Sequence, residues 1–211
     1  MARRGRPPKD LENGGKRTEV LEVASKFFLA DGYDGASINA MARASGISKE
    51  SIYRYFDGKA ELFKAVIEKE LALYQQRLND TTNLETHVDL ESALLDTAEH
   101  MLMTVMSDRT LALRRLIFQE ATRSPDVGAL YHKIGPSVAY QRLETLLSHF
   151  DIFPAKRANQ LARHFTGMLM HAYGLERECG LRAAPSSRSA RSYSQMIVTD
   201  FLRAFLPELS K

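Results

Sequence analysis

Cysteine is nearly absent from this chain: Cys179 is the single thiol among 211 residues. One thiol closes no intramolecular disulfide, so no covalent staple holds the fold, and the usage suits a reducing compartment. Cys179 itself reads as a helix residue of no special chemistry. Long apolar runs are missing too. No stretch approaches the ~20 apolar residues that span a bilayer. The basic N-terminus is not followed by the apolar segment of a secretory leader. The expectation is a cytoplasmic chain with no membrane partner. Catalytic signatures are equally scarce: there is no nucleophile elbow, no Walker loop and no His-Glu-x-x-His. His164 and His171 lie two helical turns apart, too far to share one metal without other ligands. We expect no enzyme, no metal site and no cofactor. Period-two alternation and internal repeats are also lacking, which argues against sheets and solenoids.

What is present is ample apolar material, 44% of the residues, enough for a sizeable core. Net charge is only +3, but residues 1–9 carry Arg3, Arg4, Arg6 and Lys9 with no acid, so the remaining residues sum to −1. The cationic excess is a tail, and tails of this kind seek anions. Gly5, Pro7, Pro8, Gly14 and Gly15 mark residues 1–15 as a flexible basic arm. Within it Arg4-Gly5-Arg6-Pro7 resembles the core of an AT-hook, an extended motif that lies in narrow minor grooves where negative potential draws arginine. Arg4 and Arg6 are therefore candidate DNA contacts.

From Lys16 onward the apolar positions recur with helical period. Val20, Ala24, Phe27 and Phe28 give a first helix over 16–30, stopped by Gly32. Ser37 is an N-cap for a second, whose Ile38, Met41 and Ala42 share one face. Ser45-Gly46 ends it, since Gly46 accepts the positive φ of a sharp turn. Ser48 caps a third helix with Ile52 and Phe56 facing inward, so Lys49, Ser51, Tyr53 and Tyr55 cannot all be buried. A fourth helix runs from Lys59 to about Asn79, closing the N-terminal core and reaching into the next domain. Further helices are expected near 90–105, 111–122 and 125 onward, with a kink or split at Gly135-Pro136. Two long ones follow, 154–177 and 191–206, separated by a loop over 180–189. The fold class is all-α, about nine helices. A three-helix helix-turn-helix DNA-binding domain spans 16–62, with the motif itself at 37–56. A larger helical ligand-binding and dimerisation domain spans 63–211.

Gly32-Tyr33, Ala36-Ser37-Ile38, Met41-Ala42, Gly46-Ile47-Ser48, Ile52-Tyr53, Tyr55-Phe56 and Lys59 are similar, position by position, to the DNA-binding domain of the TetR family of bacterial transcriptional regulators. Glu50 departs from the small residue frequent in that family, and Gly58 from the usual Ser or Asn cap. Helix N-termini attract phosphate, which makes Ser37 and Lys59 phosphate contacts; the resemblance implies the same for both and for Tyr53. Base reading belongs to the start of the third helix: Ser48 opens it, Lys49 suits guanine O6 and N7, and Ser51 suits either polarity. Tyr55 aligns with a family position that touches backbone or base.

The C-terminal part carries soft and aromatic side chains with interspersed polar groups, a composition suited to a small-molecule chamber. Met103, Met106, Phe118, Gln119, Tyr131, Tyr140, His164, Phe165, Met168 and His171 are its candidate lining. Leu113 to Pro125, then Leu130-Tyr131 and Gly135-Pro136, look like a subgroup found in efflux-pump repressors. That implies a small hydrophobic effector and export genes as targets. The family resemblance also implies a homodimer through the last two long helices, with Met168, Ala172, Met196, Phe201, Leu202 and Phe205 at the seam. A two-fold dimer implies a palindromic double-stranded operator. The sequence alone leaves repressor and activator open, as well as an architectural or global DNA binder needing no effector.

Overall fold

A computed structural model gives ten helices among the residues it describes, which are 9–79, 89–152 and 154–206. Arg4 and Arg6 lie outside them. The helices are α1 (Lys9–Gly35), α2 (Ile38–Ser45), α3 (Lys49–Tyr55), α4 (Lys59–Asn79), α5 (Leu90–Val105), α6 (Asp108–Ala121), α7 (Pro125–Ile134), α8 (Pro136–His149), α9 (Ala155–Glu178) and α10 (Ser187–Phe205). No strand occurs among the described residues. The tenth helix comes from Gly135-Pro136, which splits α7 from α8 instead of bending one helix.

Three boundaries differ from expectation for local reasons. The first helix starts at Lys9, not Lys16, and runs through Gly14 and Gly15. Those glycines each cost about 1 kcal/mol in helix propensity, but extension from a formed helix gains one hydrogen bond per residue. Residues 9–15 thus leave the arm assigned to 1–15. Ser107 caps α6 by accepting from the Thr110 N–H, which starts that helix at Asp108. Ser186 and Ser189 form a reciprocal capping box, so serines expected in a loop instead begin α10.

Two cores share the molecule. One joins α5, α8, α9 and α10 through Leu94, Leu102, Leu143, Phe165 and Phe201. The other gathers Val20, Phe28, Met41, Ile52, Phe56, Leu62, Phe63 and Leu71 from α1–α4. It is completed by Leu113, Leu116 and Ile117 of α6 and Tyr131 of α7. The α1–α4 bundle is therefore not closed by its own residues. The ion pairs repeat this arrangement. Lys69 of α4 meets Glu22 of α1 at 2.6 Å. Arg109 of α6 grips the buried Glu70 of α4 through two bonds of 2.8 and 2.6 Å.

Ile117 is fully buried at that shared seam. Ile117→Ala should cost about 2–5 kcal/mol, measured by urea denaturation. Probes placed in α1–α3 and in α9–α10 should lose structure in one common transition. Separate midpoints would show that α6 does not bind the halves together.

Candidate nucleic-acid interface

The turn between α2 and α3 is built from short-range hydrogen bonds. Ser37 accepts from the Ala40 N–H at 3.5 Å and caps α2. Gly46 sits in the left-handed region at φ 70° and donates back to the Ala42 carbonyl. A side chain there would be strained. The Ser45 hydroxyl donates to the Met41 carbonyl at 2.6 Å and accepts from the Ile47 N–H at 3.2 Å. Ser48 then accepts from the Ser51 N–H at 3.1 Å and starts α3. Ile38, Met41, Ile52 and Phe56 point into the core, which fixes the opposite face of α3.

That opposite face presents the residues expected to meet DNA. Lys49 is exposed, with its ammonium 5.8 Å from the Tyr53 ring, and Tyr53 is 45% exposed. Ser51 and Tyr55 are half-buried at its edge. Arg54, which the sequence reading passed over, joins them: its guanidinium lies 5.2 Å from the Tyr55 ring and 3.5 Å from the Ser51 hydroxyl. Its signal was its place between Tyr53 and Tyr55. Glu50 is exposed beside Lys49. A cleft of about 340 Å³ runs along this edge, bounded by Lys16, Ser45, Gly46, Ser48, Ser51 and Tyr55.

Lys59 and Ser37 meet the same corner of the chain. The Lys59 ammonium donates to the Asp34 carbonyl at 3.3 Å and lies 4.7 Å from the Tyr33 ring. Gly58 offers no side chain to cap α4, and the Asp57 N–H instead donates to the Glu61 carboxylate. Asp34 also accepts two bonds from Arg123, at 3.3 and 3.1 Å. Those bonds and the guanidinium charge hold its carboxyl below the usual carboxylate range.

The residues assigned to an effector chamber do not converge. Met106 and Phe165 are buried in the C-terminal core, with Met103 and Met168 packed against it. Tyr131 belongs to the other core, edge-on to Phe118 at 5.8 Å. Phe118 itself is 57% exposed and Gln119 is exposed. Tyr140 is half-buried under the Arg163 guanidinium at 4.7 Å. His164 and His171 are exposed on the outer side of α9. Their shared face was legible from the spacing, but not whether it looked inward.

The dimer residues need one correction and one addition. Phe201 is completely buried, packed on Phe165 at 5.0 Å, so it has no face left for a partner chain. Leu202 and Phe205 are half-buried beside it. Met196 is 50% exposed on α10. On α9, exposed His164, His171, Ala172 and Leu175 join half-buried Met168 in one stripe. Leu175 was missed, although its spacing from Met168 and His171 places it there.

Arg114 and Arg115 of α6 both donate to the Glu178 carboxylate at the end of α9, at 2.6–2.9 Å. Two buried hydroxyls lie near this clamp. Tyr131 is pushed up by burial, with Arg114 opposing. Tyr74 is raised far above the usual phenol range, again by burial.

Comparison with known proteins agrees with this geometry. Residues 20–66 match the model of the tetR family of bacterial regulatory proteins, and residues 92–207 match the C-terminal domain of AefR-like transcriptional repressors. The chain belongs to the TetR family of bacterial transcriptional regulators. TetR-family proteins are DNA-binding transcriptional regulators, not enzymes, and this chain is a DNA-binding regulator. It is 37% identical over 67 residues to the DNA-binding transcriptional repressor TetR of Mycobacteroides abscessus, a match that covers 32% of this chain and 35% of that protein. The chain thus aligns with about a third of that relative's length. In fold it is similar to a TetR-family transcriptional regulator from Mesorhizobium loti MAFF303099, with a TM-score of 0.76 at 24% identity over 91% of this chain and 97% of the other. A flavonoid-responsive regulator, FrrA, gives a TM-score of 0.68 at 26% identity over 90% and 97% of the two chains. No described helix is long and apolar enough to cross a membrane.

Glu178 yields a pH prediction. Burial works to raise its carboxyl, but the bonds and charges of Arg114 and Arg115 outweigh this and hold it below its ordinary 4.5. A depressed carboxyl contributes stability above the unfolded value and loses it as pH falls through the folded one. The Tm gap between wild type and Glu178→Gln should therefore be widest at about pH 6 and shrink by about pH 3. A gap independent of pH would show that the clamp does not depend on that charge.

Proposed function

We propose that this TetR-family regulator is a repressor that binds a palindromic operator as a homodimer and is released by a small hydrophobic effector. The observation that carries the DNA half is the capped turn, which buries Ile52 and Phe56 and leaves Lys49 and Tyr53 outward on α3. Ser37, Ser48 and Lys59 flank that surface as phosphate contacts at helix starts. Ser51, Tyr55 and Arg54 line its edge. The arm, through Arg4 and Arg6, adds minor-groove or phosphate contact.

The homodimer rests on the stripe of α9 and α10. Leu175 is 58% and Met196 50% exposed, and with Met168, Ala172, Leu202 and Phe205 they form an apolar band that an isolated chain would leave wet. Two-fold symmetry through that band pairs the recognition helices for half-sites about 34–36 Å apart or a multiple of it. The effector half rests on the soft side chains Met103, Met106 and Met168, which lie in or against the C-terminal core. It is also supported by the flavonoid response of one structural neighbour. Export genes are the target class that the C-terminal resemblance implies, and a regulator of this kind works in the cytoplasm.

Fluorescence anisotropy of the purified protein on its own upstream intergenic DNA, at two salt concentrations against scrambled competitor, tests the reading. Tight binding that resists competitor is expected. Equal, salt-sensitive binding to both DNAs would replace it with an architectural binder. Lys49→Ala should weaken operator binding roughly tenfold or more, the worth of one good base contact, and Tyr53→Phe should weaken it in the same direction. Far-ultraviolet dichroism should not change. Deleting residues 1–9 should flatten the salt slope by up to roughly 0.9 per lost phosphate contact.

A further inference from the structure

We propose that the cleft between α4 and the α6–α7 corner is a binding site for an amphipathic monoamine, an apolar body carrying one ammonium. The cleft holds about 380 Å³, within the span of small-ligand sites. Its walls are Tyr33, Phe63, Ile67, Val127 and Leu130. Tyr33 and Phe63 already pack edge to face at 4.9 Å, so the aromatic wall is preformed. Such a surface takes a flat or chain-like apolar body without rearrangement.

The rim chooses the charge. Glu68, Glu120 and Asp126 open on the cleft, against Lys64 and Arg123. Arg123 turns both its terminal nitrogens toward Asp34, which draws part of its charge away from the cleft. Glu120 is the decisive group. It is only 6% exposed, and what Arg123 gives it is a long 3.4 Å contact. A carboxylate with so little contact with water gains from a further donor. An ammonium brings three donors and a charge, and charge-assisted bonds are the stronger kind. A neutral ligand would leave Glu120 with the Arg123 contact alone. An anionic one would face three carboxylates against the two cations Lys64 and Arg123.

The location gives the site a consequence. Tyr33 and the α4 residues belong to the elements that carry the helix-turn-helix, while Glu120, Val127 and Leu130 belong to α6 and α7. The cleft's shape is set by how these two groups sit. Asp34 links its rim to the DNA-facing corner: the carboxylate holds Arg123 and the carbonyl holds Lys59. A bound amine thus favours one arrangement of α4 against α6–α7, and amine and operator change each other's affinity by the same factor. This coupling rests on the regulator reading above, whereas occupancy of the cleft does not.

The test separates the two. Calorimetry on the full-length protein without DNA uses 4-phenylbutylamine, with 4-phenylbutan-1-ol and 4-phenylbutyrate as neutral and anionic counterparts. Saturable binding of one amine per chain is expected, with the alcohol and the acid at least tenfold weaker, the worth of one charged hydrogen bond. Glu120→Gln should lose the preference for amine over alcohol. Val127→Phe, which fills the cleft without touching charge, should abolish binding of both. Each variant is first shown to melt cooperatively. Equal affinity for amine and alcohol in the wild type overturns the site, as does amine binding unchanged in both variants. Operator anisotropy is then repeated with saturating amine: an altered affinity is expected, and an unaltered one overturns the coupling while leaving the occupied cleft in place.

Discussion

The apolar face of α6 is the constraint on which the DNA-binding end depends. Helices α2 and α3 have eight and seven residues, well below the roughly 12–15 at which isolated helices become even marginal in water. They persist because Ile38, Met41, Ile52 and Phe56 are buried against α1 and α4. That small bundle is in turn completed by Leu113, Leu116 and Ile117. A helix-turn-helix with a core completed by the C-terminal helices is positioned by α6, not merely tethered to it. Burial is thus what makes communication between the halves possible, before any ligand is considered.

Charge then sets how the halves align. Glu70 is 2% exposed and held by both ends of the Arg109 fork. A buried pair of this kind adds little net stability, because desolvation offsets the attraction. Losing one partner, however, leaves a buried charge, so only one register of α4 against α6 is tolerable. The exposed Asp34–Arg123 pair contributes little by energy but ties the turn before α2 to the end of α6. Gly32 lies at this junction with φ 72°, and the space its Cβ would take is 3.4 Å from Gln119. Its positive φ breaks the helical geometry inside α1, so the kink three residues before the end of α1 is fixed by covalent geometry as well as by contact.

Local chemistry was legible in the sequence and long-range geometry was not. Ser37, Gly46 and Ser48 act where their side chains or backbone freedom act within four residues, so the whole turn could be read in advance. The inward set Ile38, Met41, Ile52 and Phe56 followed from period alone. Failures came where two readings were locally equal. Ser186, Ser187 and Ser189 suit a loop or a capping box, and only the helix packed behind them decides. Period places His164 with His171 and Phe201 near Leu202 and Phe205, yet not which face meets the core. The cleft beside Glu120 has no sequence signature at all. Its walls come from residues 33, 60–68 and 120–130, brought together by the fold.

Helix α4 explains how such a fold turns a local change into a DNA-level one. It is 21 residues long, about 30 Å at 1.5 Å per residue. One end, at Lys59, stands by the DNA-facing corner. Further along, Tyr74 is buried so close to the α7–α8 break that a Cβ on Gly135 would lie 3.0 Å from its ring. Close-packed interiors transmit strain, so a shift of α7 against Tyr74 would be felt by α4. In the dimer proposed above, equal rotations of the two α4 helices would change the separation of their recognition helices. A rigid operator tolerates little such change, since successive major grooves recur at fixed spacing. The same rotation widens or narrows the cleft at Phe63 and Ile67, one to two turns from Lys59. A ligand in the proposed cleft would act on the short arm of that lever, and one deeper among the C-terminal helices on the long arm.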